Sequence, residues 1–143
     1  MIPQPQQTDL LVFHENLELI EASLKTNVVR MASSLERPQD PLRPTKEILY
    51  DETGKFVLPE SRAGISLAGS VKQLLRVFRP KRTNYLLLVD RNKALPRGFR
   101  FNKESDDHWM IVVTEKMPVA TYNKCLHDII QKWVLLGKFV RYD

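Results

Sequence analysis

One cysteine, Cys125, stands in a chain of 143 residues. A lone thiol closes no intramolecular disulfide, and Cys-based zinc sites need paired thiolates at close spacing, so both are excluded. No apolar run is long enough to cross a bilayer. The start, Met1-Ile2-Pro3-Gln4-Pro5-Gln6-Gln7, has no basic residue ahead of an apolar stretch, so it is not read as a secretory signal. If the protein leaves its cell, a dedicated machine must carry it. The chain also has no Walker phosphate loop, no dinucleotide-binding glycine pattern, no nucleophile elbow and no His-Glu metalloprotease spacing.

What is present is globular. Hydrophobic residues make up 43% and charged residues 27% of the chain, proportions that match a soluble fold. The length predicts one domain over 1–143, with a loose polar tail over 1–9, and it can bury a core without staples. A cytoplasmic working environment fits the cysteine content. The net charge is +5. That bias is compatible with a nucleic acid, with an acidic protein partner, or with a basic surface of no special role.

Along the chain, Leu10-Leu11-Val12-Phe13-His14 reads as a buried strand. Leu17, Ile20, Leu24, Val28, Met31 and Leu35 then recur at helical spacing and predict an amphipathic helix. Pro38, Pro41 and Pro44 impose an extended loop. Ile48-Leu49-Tyr50 and Phe56-Val57-Leu58 flank Asp51-Glu52-Thr53-Gly54 and predict a hairpin. In Gly64-Ile65-Ser66-Leu67-Ala68-Gly69 the glycines permit close backbone approach, to a ligand or to another element. Ser70 and Gln73 have capping-box spacing ahead of a short helix carrying Val71, Leu74, Leu75 and Phe78.

Tyr85 to Val89 predicts a strand, Pro96-Arg97-Gly98 a turn, and Phe99 to Phe101 a half-exposed strand. His108 to Val113 is read as the last strong strand. Pro118 opens a final helix with Tyr122, Leu126, Ile129, Ile130 and Trp133 on one face and Gly137 as its stop. The whole predicts an α+β domain, a mixed or antiparallel sheet packed on two or three helices.

The candidate chemistry rests on few residues. His14 ends a strand and either donates into a cleft or caps the strand. Ser66 either holds a ligand hydroxyl or bonds its own turn. His108 opens a strand after an acidic loop, where an imidazole can meet a substrate. Arg62, Arg97 and Arg100 have guanidinium forks that match phosphate oxygens. His127, mid-helix beside Asp128, is read as surface.

Several segments together resemble the type VI secretion effector toxins of the Tse ADP-ribosyltransferase-like family. Gly64-Ile65-Ser66-Leu67 is similar to that family's Gly-Thr-Ser-Val-type segment. Leu95-Pro96-Arg97-Gly98-Phe99-Arg100-Phe101 is similar to its Ile-Pro-x-Gly-Leu-x-Ile turn, and His108-Trp109-Met110-Ile111 to its His-Tyr-Thr-Ile strand. Met117-Pro118 and the following helix also correspond. The resemblance covers roughly Tyr50 to Trp133.

It implies the mixed-sheet cleft of NAD-dependent ADP-ribosyltransferases. There an early-strand Arg or His holds NAD, a serine-bearing strand braces the nicotinamide side, and a late Glu stabilises the charge that develops on the ribose. The resemblance assigns His14, Ser66 and His108 to these positions in chain order, with Arg62 helping to hold phosphate. It departs from the family at the third, where a carboxylate is expected. Either Glu104, Asp106, Asp107 or Glu115 reaches inward instead, or the chain binds NAD without the usual transfer chemistry.

NAD as substrate, a cognate immunity protein of acidic character, a secretion machine and no membrane are the implied partners. The implied activity is that of a cytoplasm-acting antibacterial toxin. Two other readings stay open: a non-enzymatic basic domain that binds RNA or protein, and a metal-independent ribonuclease toxin using His108 and His14.

Overall fold

A computed structural model of the chain describes residues 27–39, 47–71, 74 and 84–139. Its centre is a six-stranded sheet. The strands are β1 (Asn27–Ala32), β3 (Gly64–Ala68), β4 (Asn84–Asp90), β5 (Phe99–Lys103), β6 (His108–Val113) and β8 (Val134–Phe139). Their spatial order is β5-β6-β3-β1-β4-β8. Every described pairing is antiparallel. A small second sheet pairs β2 (Phe56–Val57) with β7 (Met117–Pro118). A helix, α1 (Val119–Ile130), follows directly. The α+β reading with an antiparallel sheet therefore stands.

The core lies between the sheet and α1. Tyr122, Leu126, Ile129 and Ile130 recur at helical spacing and are buried. They belong to one cluster with Ile65, Leu67, Ile111, Val113, Leu87 and Leu135 from the sheet. Pro118 is the N-cap and offers no side-chain bond, but the first helical N–H, on Val119, donates to the Lys55 carbonyl at 3.0 Å. A group that helix ends leave open is thus satisfied by the neighbouring hairpin. That hairpin forms as expected: Leu58 N–H donates to Leu49 O at 2.8 Å, and Gly54 takes φ 71° in its turn. The opposite face of the sheet carries a smaller cluster of Val29, Met31, Ala68, Val71 and Leu86.

Two expectations about elements are corrected. The helix expected to run through Val28 and Met31 is absent there, because residues 27–32 form β1. Val28 and Met31 sit in different clusters on opposite sides of the sheet. β1 lies inside the sheet and buries both faces, so its sequence is nearly unbroken in apolar residues. The β-branched pair Val28-Val29 favours the strand.

At the other end, Gly137 does not stop the final helix. The helix ends at Ile130, and Gly137 lies in β8 opposite Leu86, next to a register shift between Leu86 and Leu87. Trp133 is buried in the connection rather than on the helix, its N–H donating to Ile130 O at 3.1 Å. Leu10–His14 and the first part of the expected helix lie outside the described residues. Of the short helix after Ser70, Val71 and Leu74 are described. Leu74 N–H donates to Ser70 O at 3.1 Å, one helical turn.

Candidate functional site

β3 is the strand on which the sequence places its serine, and the sheet gives it two neighbours of interest. On one side is β6. Ser66 stands opposite Met110 and Ala68 opposite His108. Directly opposed residues share a face, so Ser66 and His108 are diagonal neighbours on one side of the sheet. Such diagonals are about 7–8 Å apart. Gly64 makes this close pairing feasible: a Cβ there would stand 2.5 Å from the Ile111 carbonyl oxygen. The close approach anticipated for this glycine is therefore to another strand.

His108 opens β6 where a tight turn joins it to β5. Glu104 N–H and Ser105 N–H donate to the His108 carbonyl at 2.9 and 3.1 Å, and Gly69 N–H donates to Asp107 O at 2.8 Å. The imidazole Nδ1 lies 2.6 Å from Glu104 Oε2. Both side chains are accessible, His108 at 37% and Glu104 at 58%. Nearby, Lys103 Nζ contacts Asp106 at 2.9 Å. Its hydrogen bond and charge hold the Asp106 carboxyl below its ordinary value. Trp109, next along β6, points to the other face. There the Arg91 guanidinium lies 4.0 Å from its ring centroid.

On the other side of β3 is β1, with Val29 opposite Ala68 as the registered pair. Beside it a buried ion pair meets the Ser66 backbone. Arg30 Nη1 donates to Ser66 O at 2.8 Å and lies 3.2 Å from Glu47 Oε2. The same carboxylate oxygen accepts from Ser66 N–H at 3.3 Å. Arg30 also donates to the carbonyls of Pro38 at 3.3 Å and Gln39 at 2.7 Å. One guanidinium thus ties β1, β3 and the segment after β1 together, as a fork with several fixed donors can. Arg30 stands opposite Leu87, on the helix-facing side of the sheet, whereas the Ser66 side chain lies on the other.

Of the four residues expected to form the site, the structure brings Ser66 and His108 together. Arg62 is exposed beyond the Gly64 end of β3. At a rise of about 3.3 Å per residue, the Ala68 end that meets His108 is about 13 Å beyond Gly64. His14 lies outside the described residues. Of the candidate carboxylates, Glu104 is the one against His108, while Glu115 sits 3.6 Å from Arg97.

Two of the surface hollows among the described residues lie elsewhere. One is an open hollow of about 280 Å³ at the Gly64 end, lined by Glu60, Ser61, Arg100 and Thr114. The other is a dimple beside Lys93, Phe101 and Lys132. Among the described residues no group of three metal-ligating side chains gathers. No described helix is long and apolar enough to cross a membrane.

Sequence reasoning missed Arg30 and Glu47. The available signal was a single charge inside Val28-Val29-Arg30-Met31, which the helical reading absorbed as a polar gap. Comparison with protein-family models, curated proteins and solved structures finds no match to the chain.

Proposed function

We propose that the chain is a cytoplasm-acting antibacterial toxin that works on NAD in the manner of ADP-ribosyltransferases. One observation carries the reading: β6, β3 and β1 are consecutive in the sheet. They bear a late histidine beside a glutamate, a serine, and an early arginine. The resemblance requires a late, a middle and an early strand to converge in this way.

In this reading Arg30 stands on the early strand but, buried on the helix-facing side of the sheet, does not itself touch NAD. It braces the serine strand through the Ser66 carbonyl. Ser66 and His108 receive the nicotinamide ribose on the other face of the sheet. NAD is long enough for its pyrophosphate to lie towards the Arg62 end of the same strand. A net charge of +5 suits an acidic immunity protein that covers the site, since charge complementarity speeds and orders association. Delivery would fall to a secretion machine.

The test is growth. Expression of the wild-type chain in the bacterial cytoplasm should arrest growth, and Ser66→Ala or His108→Ala should relieve the arrest at equal protein level. Unchanged toxicity in both variants would sink the site. Absence of toxicity in the wild type, with RNA binding that weakens steeply as salt rises, would instead favour the basic-domain reading.

A further inference from the structure

We propose that Glu104 is a positioning residue that holds His108 with Nδ1 protonated, so that Nε2 serves as the base taking the proton from the group that attacks NAD. The inference rests on the NAD reading above and adds to it a residue and a proton path.

The geometry carries it. A separation of 2.6 Å between Nδ1 and Oε2 is a short, charge-assisted contact. A carboxylate accepts only, so the shared hydrogen sits on Nδ1 and the lone pair falls to Nε2. The backbone that carries the ring is held in place. Both flanking amides of the turn close on the His108 carbonyl, and Gly69 ties the loop to the end of β3. Among the described residues, the charged groups of its own hairpin near His108 are Glu104, Asp107 and the Lys103–Asp106 pair. Across on β3 it meets Ala68 and Gly69, which bring no ionisable side chain. Glu104 is thus the carboxylate bound directly to the ring.

The chemistry balances. Water, or another hydroxyl acceptor, gives its proton to Nε2 as its oxygen bonds to the ribose C1′. The C1′–N bond breaks, and its electron pair goes to the nicotinamide nitrogen, which leaves neutral. His108 becomes cationic, and the Glu104 carboxylate stabilises that cation, as orienting carboxylates do in histidine-based sites. The departure from the expected late glutamate then has a physical counterpart: the carboxylate is present, one hydrogen bond behind the imidazole.

The experiment uses the full chain and has two readouts. Long-range proton–nitrogen NMR on the imidazole, at a pH where it is neutral, should show the Nδ1–H tautomer in the wild type. Glu104→Ala should convert it to the Nε2–H form. Glu104→Gln, whose amide oxygen still accepts, should retain Nδ1–H.

Nicotinamide release from NAD should fall about 10²–10⁴-fold in His108→Ala, the usual worth of a general base. In Glu104→Ala it should fall about 10–100-fold in kcat with little change in KM, as for other carboxylates that orient histidines. Glu104→Gln should recover part of that loss. An Nε2–H tautomer in the wild type, or unchanged kcat in Glu104→Ala while the wild type turns NAD over, overturns the positioning role. No nicotinamide release from the wild type overturns the NAD reading and the base role with it, whatever the tautomer.

Discussion

Removing the Glu47 carboxylate takes a counter-charge from the buried Arg30 guanidinium and strips the Ser66 N–H of its acceptor. Breaking a buried pair in this way costs about 3–5 kcal/mol, much more than the pair contributes over a well-packed apolar replacement. Glu47→Ala should therefore destabilise the fold by about 3–5 kcal/mol in urea unfolding. Arg30→Met combined with Glu47→Leu should recover part of that loss.

Tyr122 gives a second residue-scale prediction. Burial is the main cause that pushes its phenol above the ordinary tyrosine value, with the nearby Tyr50 and Glu47 adding to the shift. A raised folded value means its contribution is intact below the unfolded value of about 10 and is lost as pH rises beyond it. Wild-type stability should fall above about pH 10, and Tyr122→Phe should flatten that fall.

At this scale the sequence singled out Ser66, which lies between glycines, and His108, which follows an acidic loop, and the structure places both on one side of adjacent strands. The sequence concealed Arg30, a charge whose partners lie at Glu47 and Ser66. It left Glu104 as one of several acidic side chains until the turn geometry chose among them.

Elements tell a similar story through their glycines. Gly64→Ala would press a methyl group into the Ile111 carbonyl, a backbone atom that cannot swing aside. Overpacking of that kind costs about 1–3 kcal/mol and should push β3 from β6, altering amide signals along His108 to Val113. Gly54→Ala meets nothing within 4 Å but sits at φ +71°. It should cost about 1–2 kcal/mol from the left-handed backbone alone and leave β6 signals where they are. Spectra of the two variants, side by side, check the claim that Gly64 exists to bring β3 and β6 together.

Legibility at this level depended on how clearly an apolar run was bounded by turn residues. β5 and β6 were readable from the Phe99–Phe101 alternation and the run from Trp109 to Val113. β1 and β8 were not. β1, buried on both faces, carries no alternation to read, and Val134-Leu135-Leu136 reads equally well as the continuation of a helix.

For the molecule as a whole, Trp133 is the largest side chain among those buried almost completely. It lies in the cluster that joins α1 to the sheet. Trp133→Ala should lower stability by about 3–5 kcal/mol, seen as a lower denaturation midpoint with an unchanged slope if the domain unfolds in one step. The central claim, however, is that β6 and β3, braced from behind by Arg30 of β1, present one NAD-handling face, and NMR with added NAD addresses it directly. The amide signals of Ser66, Ala68, His108 and Met110 should shift in a saturable way with NAD, and Ser66→Ala should weaken the effect. Shifts confined to other surfaces, or none with NAD in large excess, would contradict it.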